Sequence, residues 1–196
     1  MSAPEGRMRW STDGGIHRIP LPDVSGELWL CGKHHIGPDV EAVRARVAGA
    51  TVVCLTQRHE LTDRYPDYVR WLDEHVGTRA VWFPIHDLSA PDADRARPFI
   101  GDLVTRLRGG ERLIVHCAAG IGQAGTVAVA VCVLLGLPVD VALAHVRAHR
   151  PLAGPEAGTQ LELIHQLAAG TSGDGDLSVG AAEPVGVDDE ERDDEQ

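Results

Sequence analysis

The chain has 196 residues, enough for one domain with a full core and no disulfide or metal staples. Its formal charge of −11 is local: residues 171–196 hold ten acids and one base (−9), leaving 19 acids against 17 bases (−2) for the other 170 residues. A nearly neutral body offers no electrostatic footprint for nucleic acid or an anionic membrane, and neither an apolar run of eighteen residues nor an apolar leader is present, so a cytoplasmic protein is expected.

Residues 1–26 are rich in Gly, Pro and polar side chains, and GIHRIPLP within them reads as an edge strand or arm. ELWLCG (27–32) reads as a strand, and Pro38 is expected to open a helix to about Val47, with apolar residues at Val40, Val43 and Val47. TVVCLT (51–56) has the look of a buried strand. Tyr65, Tyr68, Val69, Leu72 and Val76 then recur at helical spacing, and RAVWFPI (79–85) returns as a strand.

Asp94 to Arg108 predicts a helix, with Asp94 as its N-cap and Gly109-Gly110 as its stop. RLIVHC (112–117) is a strand. Residues 126–135 are too apolar for a surface helix, and helices follow at about 138–149 and 158–169. Strands alternating with helices predict an α/β fold: a mainly parallel central sheet with helices on both faces, occupying residues 27–169. From Gly170 onward the sequence has no periodicity and a run of like charge, so 170–196 is expected to be a disordered acidic tail.

Four cysteines, Cys31, Cys54, Cys117 and Cys132, form no CxxC pair, and three lie in or beside apolar runs, which reads as reduced thiols. Lys33 is the single lysine in a chain rich in Ala, Val, Gly and Arg, a bias that resembles a GC-rich bacterial genome. Cys31, His34 and His35 are all metal-ligand types, but no fourth ligand stands at a plausible spacing.

The chemistry is concentrated in LIVHCAAGIGQAGTVAVAV (113–131). An apolar strand ends at Cys117, small residues follow, and an apolar helix begins. Such a turn makes a nest of backbone N–H groups at a helix N-terminus, which stabilises a bound phosphate and a thiolate alike. The plainer alternative is a core thiol at a strand end with glycines that permit a tight turn.

HCAAGIGQAGT resembles the signature His-Cys-x-x-Gly-x-x-Arg-Ser/Thr-Gly-Thr of cysteine-dependent tyrosine and dual-specificity phosphatases, matching at His116, Cys117, Gly120, Gly125 and Thr126. Three more segments match in order. VWFPIHDLSAPD resembles the family's acid loop, VRAHRPLAGPEAGTQLELI the Arg-x-x-Arg-Pro helix and loop, and TVVCLTQRHEL the strand before the acid loop in the atypical, kinase-associated type.

The resemblance implies Cys117 as nucleophile, Asp87 as general acid, and Ala118, Ala119, Gly120, Ile121, Gly122 and Gln123 as the phosphate-binding loop. His116, Thr126 and Arg150 would support it. No cofactor or metal is implied. Asp92 and Asp94 are rival acids, and a turn aspartate with no chemical role is the plain reading of Asp87. His116 should point to the opposite side of the strand from Cys117 and make a structural hydrogen bond.

Two departures matter. Gln123 stands where the family has the arginine that grips phosphoryl oxygens, and Ala124 where it has a hydroxyl that stabilises the departing thiolate. Removing one preorganised donor costs about 10² to 10³ in rate, and a charged arginine on a phosphoryl group is worth about 10³ to 10⁵. Arg147, Arg150 and Lys33 are the cations that could compensate.

Two classes therefore remain: a phosphatase acting on a phosphorylated protein or small phosphate ester, and a pseudophosphatase that binds phosphate groups without turnover. A rhodanese-like sulfur transferase fits the His-Cys-x-x-Gly spacing and acid loop less well. The neutral Ala118, Ala119 and Ile121 favour phosphoprotein over phosphoinositide substrates, since phosphoinositide-directed relatives carry lysines there.

Overall fold

The computed structural model describes residues 15–171. Most of the expected N-terminal arm and all of the acidic segment beyond residue 171 lie outside the described residues. Five strands, β1 (His17–Ile19), β2 (Glu27–Gly32), β3 (Thr51–Cys54), β4 (Ala80–Trp82) and β5 (Arg112–Cys117), form one sheet in the order β1-β2-β5-β3-β4. β1 pairs antiparallel with β2, and the other three pairings are parallel.

β5 is the middle strand, with Val115 flanked by Leu30 of β2 and Val53 of β3. Its residues Leu113 to Cys117 are all buried without alternation, as a strand covered on both faces requires. Successive side chains still divide between the faces: Leu113, Val115 and Cys117 join one core, while Ile114 joins the other.

The helices are α1 (Lys33–Ile36), α2 (Val40–Arg46), α3 (His59–Thr62), α4 (Pro66–His75), α5 (Ala93–Arg108), α6 (Gly122–Leu134), α7 (Val139–His149) and α8 (Gly158–Thr171). Ile36, Val43, Leu61, Tyr68 and Leu72 cover one face of the sheet. On the other, Ile100 and Leu103 of α5, Val146 of α7 and Leu163, Ile164 and Leu167 of α8 pack round α6. Every residue from Gly122 to Val133 is buried, which explains why α6 has no polar stripe. Among the described residues no helix is long and apolar enough to cross a membrane.

Several boundaries differ from expectation. The helix predicted from Pro38 begins at Val40, because the Asp39 carboxylate accepts the Ala42 N–H at 2.9 Å and caps it. Asp94 is not an N-cap: Asp92 occupies that position and Asp94 lies in the first turn of α5, where its charge favours the positive helix end. α6 begins at Gly122, four residues before the expected apolar segment that starts at Thr126. The last helix runs to Thr171, two residues past its expected end.

Candidate active site

The parallel strands deliver their C-terminal ends to one edge of the sheet, where ligand sites form in open α/β folds. Gly32 of β2 lies opposite Cys117, Cys54 of β3 opposite His116, and Trp82 of β4 opposite Cys54. The ends of β2 and β3 thereby flank that of β5, and the loop after β4 reaches the start of α6 through Gln123.

Cys117 ends β5 with 4% of its surface exposed. The Gly120 N–H donates to its Sγ at 3.2 Å. Gly120 has φ +72°, and a side chain there would run into the Cys31 carbonyl, so glycine is needed for both its left-handed backbone and the close approach. The Lys33 N–H donates to the Ala118 carbonyl at 3.0 Å.

Arg150 braces the loop from its carbonyl side. Its Nε donates to Gly120 O at 2.5 Å and Nη2 to Ala119 O at 2.9 Å, while Nη1 reaches Gly15 O at 2.7 Å and His17 Nδ1. The side chain is 3% exposed, and burial lowers its pKa from the ordinary guanidinium value, against the opposing pull of Cys31 and Cys117. Cys31, fully buried, is pushed up to about 12 by burial and stays a thiol.

His116 turns to the opposite face, where its Nε2 lies 2.6 Å from the Tyr68 hydroxyl and its Nδ1 is 3.5 Å from the Cys117 carbonyl. Burial lowers its pKa to about 4 and raises that of Tyr68 well above the usual phenol, so both are neutral near pH 7. With a ring proton on Nδ1, facing the last carbonyl of β5, Nε2 accepts the Tyr68 O–H; with the proton on Nε2, the direction reverses.

Asp87 is exposed in a turn over residues 86–89, closed by the Ser89 N–H and hydroxyl donating to His86 O at 3.2 and 2.9 Å. Leu88 at its tip has φ +53° and is exposed. Asp92 and Asp94 stand at the start of α5, beyond this turn.

Gln123 does not project its amide to the Cys117 thiol. Its Nε2 donates to Ile85 O at 3.1 Å and His86 O at 3.0 Å, so both amide hydrogens are engaged on the Asp87 turn. Ala124 is buried in the core. The Thr126 hydroxyl bonds Gly122 O at 2.8 Å, with Gln160 Oε1 at 3.3 Å.

The proposed compensating cations are accounted for elsewhere. Arg150 is bound to backbone carbonyls, and Lys33 Nζ lies 3.4 Å from the Glu60 carboxylate and 3.3 Å from its carbonyl. Arg147 is exposed beside Gly154. Cys31 is buried in the sheet and His34 bonds the Tyr65 hydroxyl at 2.6 Å; no group of three His, Cys, Asp or Glu side chains among the described residues could hold a metal.

Two residues at this edge escaped sequence reasoning. Glu156 lays its carboxylate against Gly122, so that any side chain on Gly122 would overlap it. Gln160, 1% exposed, donates to Ser89 O at 3.2 Å and accepts the Glu156 N–H at 2.8 Å. The available signal for Gln160 was a polar residue on the helical stripe of Leu163, Ile164 and Leu167; Glu156 left none.

The fold is shared with several solved phosphatases. Tk-PTP in its active form matches at 24% identity over 78% of this chain and 97% of that one, with TM-score 0.61. Kinase associated phosphatase, with its catalytic cysteine changed to serine, matches at 20% over 84% and 99%, TM-score 0.67. Human DUSP28 matches at 19% over 80% and 95%, TM-score 0.59. No curated protein sequence matches the chain. Residues 28–174, which take in all of this edge, match the DSP-PTPase phosphatase domain of Swiss Army Knife proteins (PTP-SAK), and the chain belongs to that family within the dual-specificity phosphatase superfamily.

Proposed function

We propose that residues 27–169 form a cytoplasmic protein phosphatase, acting on phosphotyrosine or with dual specificity, through a phosphocysteine on Cys117. The Cys117 thiolate attacks phosphorus in line, the bond from phosphorus to the leaving oxygen breaks, and Asp87 gives that oxygen its proton. Water then attacks phosphorus, the P–S bond breaks, and the Asp87 carboxylate takes the water's proton as inorganic phosphate leaves. The backbone N–H groups of residues 118–122 and the start of α6 bind the phosphoryl oxygens.

The observation that carries this reading is the juxtaposition of Cys117 Sγ, receiving the Gly120 N–H at the mouth of a buried helix, with an acid-bearing turn bonded to that helix through Gln123. Neutral residues at Ala118, Ala119 and Ile121 support phosphoprotein over phosphoinositide substrates. Turnover of an aryl phosphate between about pH 5 and 7 tests the reading. Activity lost in Cys117→Ser and lowered in Asp87→Asn, most of all for poor leaving groups, is the expected result; activity surviving Cys117→Ser would refute it.

A second reading, a phosphate-binding module without turnover, is favoured by the engagement of both Gln123 amide hydrogens away from Cys117 and by the methyl at Ala124. An inert natural protein that gains activity on Gln123→Arg would select it.

A further inference from the structure

Two buried glutamines hold the Asp87 turn from opposite shoulders. Gln123 donates to the carbonyls of Ile85 and His86, just before Asp87, and Gln160 donates to that of Ser89, two residues after it. Gln123 is 9% and Gln160 1% exposed, so these bonds are made largely out of water. Both side chains line the same hollow of about 20 Å³ beneath the turn, with Ile85, Ile100, Val127 and Leu163, too small to admit a substrate.

Each glutamine is itself held. Gln123 stands in the first turn of α6, and Gln160 Oε1 accepts the Glu156 N–H. The turn is closed internally by Ser89 on the His86 carbonyl and anchored before it by the Ile85 N–H on the Leu55 carbonyl at 2.9 Å, but its tip is not packed: Asp87 and Leu88 are exposed, and Leu88 is left-handed.

We propose that Gln123 and Gln160 are positioning residues that latch the Asp87 turn closed over the phosphate loop with no anion bound, so that position 123 serves proton delivery instead of phosphate grip. The effect on catalysis rests on the phosphatase reading above; the latch itself does not. Turn closure is then built into the free protein, and the anion contributes nothing to it.

The test uses the full chain with Gln123→Met and Gln160→Met, which keep side-chain length and remove the N–H donors. Hydrogen exchange is followed in phosphate-free protein. Peptides covering residues 86–89 should exchange about tenfold faster in each variant than in the natural protein, while peptides covering β5 stay unchanged. Equal exchange at 86–89 would overturn the latch, and faster exchange everywhere would mark the glutamines as merely structural.

In parallel, turnover is compared for aryl phosphates with good and poor leaving groups. Gln123→Met should lower kcat about tenfold for the poor leaving group, which needs its proton, and little for the good one. That selectivity should vanish in an Asp87→Asn background. Equal loss on both substrates would overturn the action through Asp87. Exchange is read without substrate, so an inert natural protein would refute the phosphatase reading while the latch is still decided.

Discussion

Acidification should destabilise this protein through one buried ring. His116 is fully buried against Tyr68, and burial depresses its pKa from 6.5 to about 4. The unfolded chain therefore takes up a proton between pH 6.5 and 4 that the folded chain refuses, so stability rises with pH across that window. The contribution is complete above pH 6.5 and is lost as pH falls toward 4.

A gap of that size is worth about 3 kcal/mol in full, and at pH 5.0 about 2 kcal/mol of it is already gone. The assay is urea unfolding of the natural protein and His116→Gln at pH 7.5 and 5.0. The natural protein should lose about 2 kcal/mol more than the variant between the two values, because every other titrating group is common to both. The His116 ring resonance should meanwhile titrate near 4. Equal losses in the two proteins, or a ring that titrates near 6.5, would refute the reasoning.

Gly120→Ala should lower stability by at least about 2 kcal/mol by calorimetry, since φ +72° alone costs a non-glycine residue about 1–2 kcal/mol and the methyl meets the Cys31 carbonyl. Arg150→Met should cost about 2–4 kcal/mol by leaving the Ala119 and Gly120 carbonyls without donors, and it should also weaken the binding of inorganic phosphate measured by calorimetric titration. Glu156→Gln should tighten that binding about threefold at low salt and less at high salt, because it removes a carboxylate from beside Gly122; unchanged affinity would place Glu156 outside the anion's field.

Much of the sheet was legible because its strands carry their own signal. RLIVHC and ELWLCG are continuous apolar runs of strand length, and β5 and β2 span those residues. The amphipathic spacing of α4 and α5 was equally plain. α1 and α3 were not, being four-residue turns with no room for a periodicity. The start of α6 was hidden because Gly122 and Gly125 are weak helix formers and Gln123 and Ala124 carry no apolar periodicity, so packing makes this turn helical. A side chain on Gly125 would collide with the Gly154 backbone, a contact visible only in three dimensions.

The order of segments round the site could be read, yet the direction of two long side chains could not. Arg150 stood at a position that fits either gripping the anion or bracing the loop, and only the location of the Ala119 and Gly120 carbonyls decides for bracing. Gln123 likewise takes its rotamer from carbonyls 37 and 38 residues away in sequence.

Arg150 also has a bearing on the order of folding. One guanidinium joins Gly15, 135 residues earlier, to Gly120, 30 residues earlier, so it cannot be satisfied until the two ends of the domain have met. Contacts of such long sequence separation are among the last that a chain can close, because the intervening loop entropy must first be overcome. The anion loop should thus reach its final shape only when the whole domain is assembled, and binding of phosphate would report complete folding where far-ultraviolet dichroism reports only its elements.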